Sequence, residues 1–534
     1  MFRYKDNFAH DNLPPKELQP DYIFDHLDFI LREDINCVHK LLDIHIENGQ
    51  GNNIAIRTFE STWTFQKLLE TSNQIAHVLI DDLKLVSGNR VLIRSANNPM
   101  MVACWFAVIK AGGIVVATMP LLREKELSTM VECAEISHAL CDYRLETELA
   151  LVTSPFLKNR ITFDGEENTI SKLDVLMHNK PKTFINFQST AESVCLIGFT
   201  SGTTGKPKMT SHFHRDVLLI CEAFPKYALQ PKHEDIFTGS PPLGFTFGLG
   251  GLVLFPFYYG ASTFLIEKPT PDLLLQAIQD FKITICFTAP TAWRIITTKV
   301  DEYNIASLRK CISAGETLPA KVWQDWYDAT GLKIIDGIGS TEILHIFISN
   351  NEENMKKGTT GKPVNGYEAK IIDNVGNELP VNEPGRLAVR GISGCKYLAR
   401  EDKQREYVEN GWNITGDIFK KDEEGFYCFV ARGDDMIISS GYNIGAVEVE
   451  SVLLTHPDIS ECAVVGLPDE ERGMLVCAHV VLKDHSKAGE ELKKSMQDWF
   501  KLNAAPYKYP RIINFIEVLP KTETGKIQRF KLKT

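Results

Sequence analysis

The sequence predicts an α/β protein in two unequal parts: a large N-terminal domain of layered βαβ-type sheets carrying a small β unit, and a smaller α+β C-terminal domain. Three observations predict it. Apolar strand-length runs alternate with helical stretches through most of the chain. From about Gly358 the texture changes to short alternating strands separated by Gly, Pro, Asn and Asp turns. Beyond Arg432-Gly-Asp-Asp a further strand-and-helix unit closes the chain.

Each element has its own signal. Asn89–Arg94 reads as a short apolar strand, Pro99–Lys110 as a helix, and Ala111-Gly-Gly as the turn into the strand Ile114–Thr118. The rhythm recurs at Ile283–Thr288 and Lys333–Asp336 with helices between, which argues for parallel βαβ units. Glu368–Asp373, Gly385–Arg390 and Gly425–Val430 alternate with period two between turn residues, and predict a small antiparallel unit over about 358–432. In the last part a helix starts near Ala446, Glu461–Gly466 is a strand, and a second helix runs through Glu490 to Phe500. Residues 241–266 carry no charge, long enough to raise a membrane-spanning helix. Pro256 and the glycines at 244, 248, 250, 251 and 260 interrupt the run, so a buried helix followed by a buried strand is expected.

Composition narrows the function. With 534 residues, 44% hydrophobic and 24% charged, the chain is a soluble globular protein with more than one core. Its net charge of −11 favours neither nucleic acid nor an anionic membrane, so any phosphate-bearing ligand must be held by local groups. The twelve cysteines contain no CxxC pair, a spacing that suits reduced thiols in the cytoplasm, and the N-terminus lacks the apolar core of a signal peptide. The stretch Lys521 to Thr534 sets Lys521, Lys526, Arg529, Lys531 and Lys533 against one acid, Glu523, and by itself reads as a solvated tail.

Four segments carry chemistry. Phe199-Thr-Ser-Gly-Thr-Thr-Gly-Lys-Pro-Lys-Met209 follows the apolar strand Val194–Gly198. Its glycines, its hydroxyl side chains and the cations Lys206 and Lys208 suit a polyphosphate, although it is not a Walker A loop. Ile335-Asp-Gly-Ile-Gly-Ser-Thr-Glu342 ends a strand in a loop, where a carboxylate near phosphates is a natural Mg²⁺ ligand but, alone, equally a solvated acid. Trp412-Asn-Ile-Thr-Gly-Asp417 puts an acid where a ribose diol could be held, or is an ordinary Gly-Asp turn. Lys526 follows Gly525 in a basic turn. His212 and His214 form an HxH pair with no third metal ligand evident.

In this order these segments resemble the acyl-adenylate-forming superfamily of acyl- and aryl-CoA synthetases, adenylation domains and firefly luciferase. The resemblance spans nearly the whole chain. It extends to Ala431–Gly441, similar to the family's hinge and following loop, and to Ser313-Ala-Gly-Glu316, similar to its adenine-side segment. Ser211–Asp216, Pro241–Gly250 and Asp336–Phe347 look most similar to benzoate- and 2-aminobenzoate-CoA ligases.

The resemblance implies an acid–thiol ligase with ATP, Mg²⁺ and coenzyme A as its small-molecule partners. Thr200, Ser201, Gly202, Thr203, Thr204, Gly205 and Lys208 would clasp the β- and γ-phosphates, and Glu342, following Ser340 and Thr341, would hold the metal. Asp417 and Arg432 would meet the ribose, with Asp336, Gly337, Gly315 and Glu316 around the adenine. Lys526 would bridge the substrate carboxylate and the α-phosphate. Thr200, Glu342 and Lys526 are therefore the expected catalytic groups. Phe245, Thr246, Phe247, Ala289, Pro290, Thr291, Ile338, Gly339 and His345 would form a compact aryl pocket, with His345 as a wall. The N-terminal domain would run over 1–432 and a mobile C-terminal domain over 435–534. The hinge would lie at 433–435 around Asp434, swinging Ser439, Ser440 and Gly441 to a thiol tunnel.

Ile338 and Phe245 depart from the commonest family pattern, where an aromatic residue and a histidine stand. Three alternatives stay open: loading of an aryl acid onto a carrier protein, a medium-chain fatty-acyl-CoA synthetase, and a catalytically idle binding protein. The last would need a broken motif, yet Lys208, Glu342, Asp417 and Lys526 are all present. A homodimer is compatible with the sequence; nucleic acid and stable membrane insertion are not expected.

Overall fold

The computed structural model describes residues 4–24, 34–200, 207–433, 435–439, 442–469, 472–504, 506–521 and 527–533. Two mostly parallel sheets form the larger part. The six-stranded sheet runs in the order Asn159–Phe163, His138–Asp142, Arg90–Arg94, Ile114–Thr118, β1 (Val194–Thr200) and β2 (Lys208–Phe213). Its first five strands are parallel and β2 turns back antiparallel to β1. The second sheet has nine strands, with parallel strands at its centre from Ile54–Arg57 through β3 (Ile334–Gly339) and antiparallel pairs at both edges. Helix α1 (His214–Phe224) follows β2, and α2 (Pro290–Thr297) connects two strands of the nine-stranded sheet.

The helix Pro99–Lys110 shows why the sheets close on each other. Asn98 caps it, its side chain accepting from the Met101 amide at 3.0 Å, and all twelve helical residues are buried. A helix apolar on every side must be covered on every side. Its one cation, Lys110, is buried too and pairs with Asp43 at 2.5 Å.

The uncharged run 241–266 forms a buried helix and strand as expected. The helix is α over Thr246–Leu249, widens to π over Gly250–Leu254, and returns to α at Phe255–Tyr258 before the strand Ser262–Phe264. Pro256 has no amide hydrogen to donate, so a regular α turn would be broken there, and the widened turn precedes it. No helix among the described residues is long and apolar enough to cross a membrane.

The small unit is antiparallel, with Tyr367–Ile372, Gly385–Gly391, β4 (Trp412–Lys421), Val408–Glu409 and β5 (Tyr427–Arg432) in one sheet. The C-terminal unit contains α3 (Ala446–Leu453), β6 (Ile459–Asp469), β7 (Gly473–Leu482), α4 (Glu490–Asn503) and β8 (Ile512–Phe515). β6 and β7 pair antiparallel, whereas β7, α4 and β8 make a parallel βαβ crossover. Val449, Val464, Val476, Met496 and Phe500 give this unit a core of its own. The basic C-terminal stretch is not a free tail. Arg529 grips both carboxylate oxygens of Glu450 at 2.7 and 2.8 Å, Lys521 pairs with Glu461 and Lys533 with Asp435, while Leu532 is buried.

A buried ion pair ties the small unit to the six-stranded sheet. Lys396 Nζ lies 3.0 Å from Asp216 Oδ2, and both side chains are fully buried. Asp216 also accepts the Phe213 amide at 3.0 Å at the start of α1. Lys396 further donates to the Gly394 carbonyl at 3.1 Å and the Tyr22 hydroxyl at 3.2 Å. Burial alone would raise the Asp216 carboxyl, but Lys396 and Arg215 outweigh it and hold the group below the usual carboxylate range. Removing one partner of such a pair strands the other charge. Lys396→Met is expected to destabilise the fold by about 3–5 kcal/mol, read as a lower urea midpoint. Lys396→Met combined with Asp216→Asn should recover part of that loss; a single variant as stable as the parent would contradict it.

Candidate active site

β1 and β2 pair from Val194 opposite Phe213 to Thr200 opposite Lys208, so the expected phosphate loop connects two strands at one end of the sheet. Ser201, Gly202, Thr203, Thr204 and Gly205 lie outside the described residues. At the two ends of that loop, Thr200 Oγ1 is buried with no protein hydrogen-bond partner and Lys208 is half-buried. The Ser340–Glu342 turn presses against this strand pair. A Cβ added at Gly198 would stand 2.6 Å from Thr341 Cγ2, so only glycine allows the approach. From β2, His212 Nε2 lies 2.8 Å from the Thr341 carbonyl; a carbonyl only accepts, so Nε2 carries the hydrogen. Burial, with the charge of Lys396 adding, pushes the His212 pKa down to about 4. The ring is neutral at pH 7.

Lys208 and Glu342 meet on one side chain. Lys208 Nζ is 2.7 Å from the Tyr397 hydroxyl, which donates to Glu342 Oε1 at 2.6 Å. The ammonium also lies over the Tyr397 ring, 4.5 Å from its centroid. A cation and a hard carboxylate therefore sit side by side where the phosphate loop begins. The turn continues through Leu344, buried with φ +78°, a left-handed conformation costly for this residue type and one that clusters at functional sites.

The expected nucleotide groups on the other strands lie in two sheets. Asp336 on β3 is opposite Ser313 in the parallel register. Burial drives its carboxyl well above the usual range, only partly opposed by the Ser313 hydroxyl and the Gly337 amide. Gly315 turns the chain with φ +89°, and Glu316 accepts from the Thr291 hydroxyl at 2.8 Å, joining the adenine-side segment to the expected acid pocket. Asp417 on β4 is opposite Arg432 on β5, with a 3.3 Å ion pair between them.

Of the expected acid-pocket residues, Phe247 and Gly339 lie against His345. This imidazole is 2% exposed, with the rings of Phe255, Phe224 and Phe247 at centroid distances of 4.5, 5.8 and 5.9 Å. Burial pushes its pKa down to about 3, opposed by the backbone of Phe247. The ring is neutral at pH 7. A Cβ at Gly250 would strike the imidazole, and one at Gly339 would come 2.8 Å from the His345 carbonyl carbon. Gly244 lies as closely against the backbone of Thr118 and Met119. Phe245 is partly exposed, and Thr246, Phe247, Ile338, Ala289 and Thr291 are half-buried or better.

Helix α2 starts at Pro290, and Arg294 within it donates to the Ser460 carbonyl at 2.6 Å and pairs with Glu461 on β6. The other oxygen of Glu461 accepts from Lys521 at 2.6 Å. Ser439 is buried at the end of the strand Ile437–Ser439. Asp434, Ser440, Gly441 and Lys526 lie outside the described residues.

The HxH pair divides its work. His214 turns away from His212, its Nδ1 3.2 Å from the Cys37 amide and 3.3 Å from Cys37 Sγ. With Cys195 it makes the one trio of metal-capable side chains that converges among the described residues, within 4.8 Å and fully buried. Three donors fall short of the four of a closed zinc site.

The profile of the AMP-binding enzyme family matches residues 45–396, and that of the AMP-binding enzyme C-terminal domain matches 448–526. The chain belongs to this family. It is an enzyme of the acid–CoA ligase class, which forms AMP and pyrophosphate. Among its relatives, the benzoate–CoA ligase of Thauera aromatica is 32% identical over 532 residues, covering 98% of both chains. The mitochondrial acyl-coenzyme A synthetase ACSM3 of Rattus norvegicus is 33% identical, covering 89% of this chain and 84% of its own. Among solved structures, the anthranilate CoA ligase AuaEII in complex with anthranoyl-AMP superposes with a TM-score of 0.88 at 33% identity, covering 94% and 97% of the two chains. A benzoate CoA ligase from Burkholderia xenovorans LB400 superposes at 0.86 and 28%, covering 94% and 100%.

Sequence reasoning missed Tyr397, Lys396 and the bond from His212 to Thr341. None has a local signal, because each partner lies far along the chain.

The two depressed histidines give a pH signature. In the unfolded chain each protonates near pH 6.5, whereas in the fold they do so only near 4 and 3. Below about pH 6.5 the unfolded state therefore binds more protons, and stability falls with acidification at about 1.4 kcal/mol per pH unit for each histidine. Denaturant midpoints measured between pH 7 and 5 should show this slope, and His345→Asn should flatten it by about one histidine's share. An unchanged slope in the variant would contradict the neutral, buried His345.

Proposed function

We propose that this enzyme joins an aromatic, benzoate-like carboxylic acid to AMP, releasing pyrophosphate, and then passes the acyl group to coenzyme A. The observation that carries the reading is the meeting of Lys208 and Glu342 on the Tyr397 hydroxyl at the base of the Thr200 segment. It sets a phosphate-binding cation beside a hard oxygen donor. The similarity to ligases named for benzoate and anthranilate supports an aryl substrate.

A carboxylate resists thiols because its leaving group would be oxide. Attack of its oxygen on the α-phosphorus of ATP forms an acyl-adenylate and expels pyrophosphate; the thiol then attacks the acyl carbon and expels AMP. The carboxylate is already a nucleophile, so the first step needs no general base. Thr200, the loop 201–205 and Lys208 hold the β- and γ-phosphates. Asp417 and Arg432 take the ribose, and Asp336, Gly337, Gly315 and Glu316 flank the adenine. The second oxygen of Glu342, with Thr200 Oγ1, which has no protein partner, is a donor set that fits Mg²⁺, which would neutralise polyphosphate charge. Phe245 to Phe247, Ala289 to Thr291, Ile338, Gly339 and neutral His345 line a slot for a flat ring.

Lys526 meets the charge that develops at the α-phosphate, and a donor of this kind is worth about 10²–10³ in rate. The unit 435–534 turns about Asp434 between half-reactions, exchanging Lys526 for Ser439, Ser440 and Gly441 at the thiol.

The test is acid-dependent pyrophosphate release with ATP and Mg²⁺ over benzoate, 2-aminobenzoate, hydroxybenzoates and short- to medium-chain fatty acids, with coenzyme A or a phosphopantetheinylated carrier as acceptor. Aryl acids turning over only with coenzyme A are expected. A preference for fatty acids overturns the substrate class, and transfer only to the carrier overturns the acceptor. Lys526→Ala should lower pyrophosphate release by about 10²–10³ while thioester formation from supplied acyl-AMP persists. Equal loss of both half-reactions would remove its assigned role.

A further inference from the structure

Tyr397 belongs to none of the recognised motifs, yet two of them meet through it. The phenol has one hydrogen and the carboxylate has none, so the hydrogen goes to Glu342 Oε1 and a lone pair of the phenol oxygen receives the Lys208 ammonium. Burial and the neighbouring Glu342 charge keep this phenol protonated far above its ordinary range. The group is held in place from behind. The Tyr397 amide donates to Gln404 Oε1 at 2.8 Å, and the Gln404 amide nitrogen donates to the carbonyls of Cys395 at 2.9 Å and Leu18 at 3.0 Å. On the other side the Leu398 amide donates to the Met209 carbonyl at 2.9 Å, fastening the segment to β2.

Two consequences follow from the bond directions. Oε1 of Glu342 is committed to the phenol, which leaves Oε2 as the carboxylate's free donor. The phenol also stands between the ammonium and the carboxylate, so the two charges do not collapse into a direct ion pair that would cancel both.

We infer that Tyr397 is a positioning residue for the metal–polyphosphate complex. Its hydroxyl fixes Glu342 for one-point ligation of the cation and keeps Lys208 beside it until a phosphate oxygen takes the ammonium over. This rests on the proposed roles of Glu342 and Lys208.

Tyr397→Phe tests it, because the ring, its packing and its stacking under Lys208 remain and only the oxygen goes. The readout is binding of a non-hydrolysable ATP analogue by calorimetry, with Mn²⁺ and without any divalent cation, alongside Mn²⁺ binding followed by its EPR signal. The expected result is about a tenfold to hundredfold loss of metal-loaded affinity, the worth of one hydrogen bond to a charged group, with metal-free affinity unchanged. The double variant Tyr397→Phe/Glu342→Gln should lose no more metal affinity than Glu342→Gln alone. Equal weakening with and without metal, or none, overturns the inference. If Glu342→Gln itself leaves the metal dependence intact, the reading of Glu342 as metal ligand fails, a result separate from silence of Tyr397→Phe alone. Should the Phe variant lose the parent's thermal transition, Lys208→Met carries the test from the other side. It leaves the bond from Tyr397 to Glu342, so affinity should fall alike with and without metal. A loss confined to the metal-loaded form would overturn the assignment.

Discussion

The buried pair of Lys396 and Asp216 is the constraint from which the rest of the site takes its position. Isolated in the interior, either charge would be intolerable; together, with Asp216 Oδ2 also accepting a helix-start amide, the two charges offset one another. The pair fastens the segment after Gly391 to the junction of β2 and α1 at a point where apolar contact alone would allow sliding. Tyr397 is the next residue along. Its hydroxyl can reach Glu342 and Lys208 together only because its neighbour is held so firmly. A polar tie in the core thus sets the register of a polar cluster beside it, a use for buried charge that hydrophobic residues of equal volume would not reproduce.

The layered sheets explain why the candidate groups gather where they do. Parallel strands deliver their ends to one edge, and ligands of open α/β sheets sit in the crevice outside those ends. Thr200, Ser313 and the turn through Glu342 stand at or just beyond strand ends. Close approaches at Gly198, Gly339 and Gly244 bring the separate loops to the same place.

How much of this was legible depends on how local each signal is. The strand into Thr200, the helix starting near Ala446 and the helix from Glu490 are written in contiguous residues. The burial of His345 among the rings of Phe224, Phe247 and Phe255 joins residues scattered along the chain. What was not legible depends on contacts between distant positions. Tyr397 and Lys208 are 189 positions apart. The basic C-terminal stretch looked like a solvated tail because its counter-ions are remote: Glu450 is 79 positions from Arg529, and Asp435 is 98 from Lys533. The twelve cysteines appeared single along the chain, yet Cys37 and Cys195 come together at His214 once β1 and α1 pack against the N-terminal segment. No periodicity or composition encodes such meetings.

Gly250 touches none of the groups assigned to the reaction, yet it decides where one of them stands. The flat face it offers lets the His345 ring lie back against the π-widened helix, and any larger residue would have to evict that ring. The position of the ring is therefore governed from behind. With His345 as the proposed wall of the acid slot, exchanging a residue that never meets the acid would retune which acids fit, leaving every proposed catalytic group untouched.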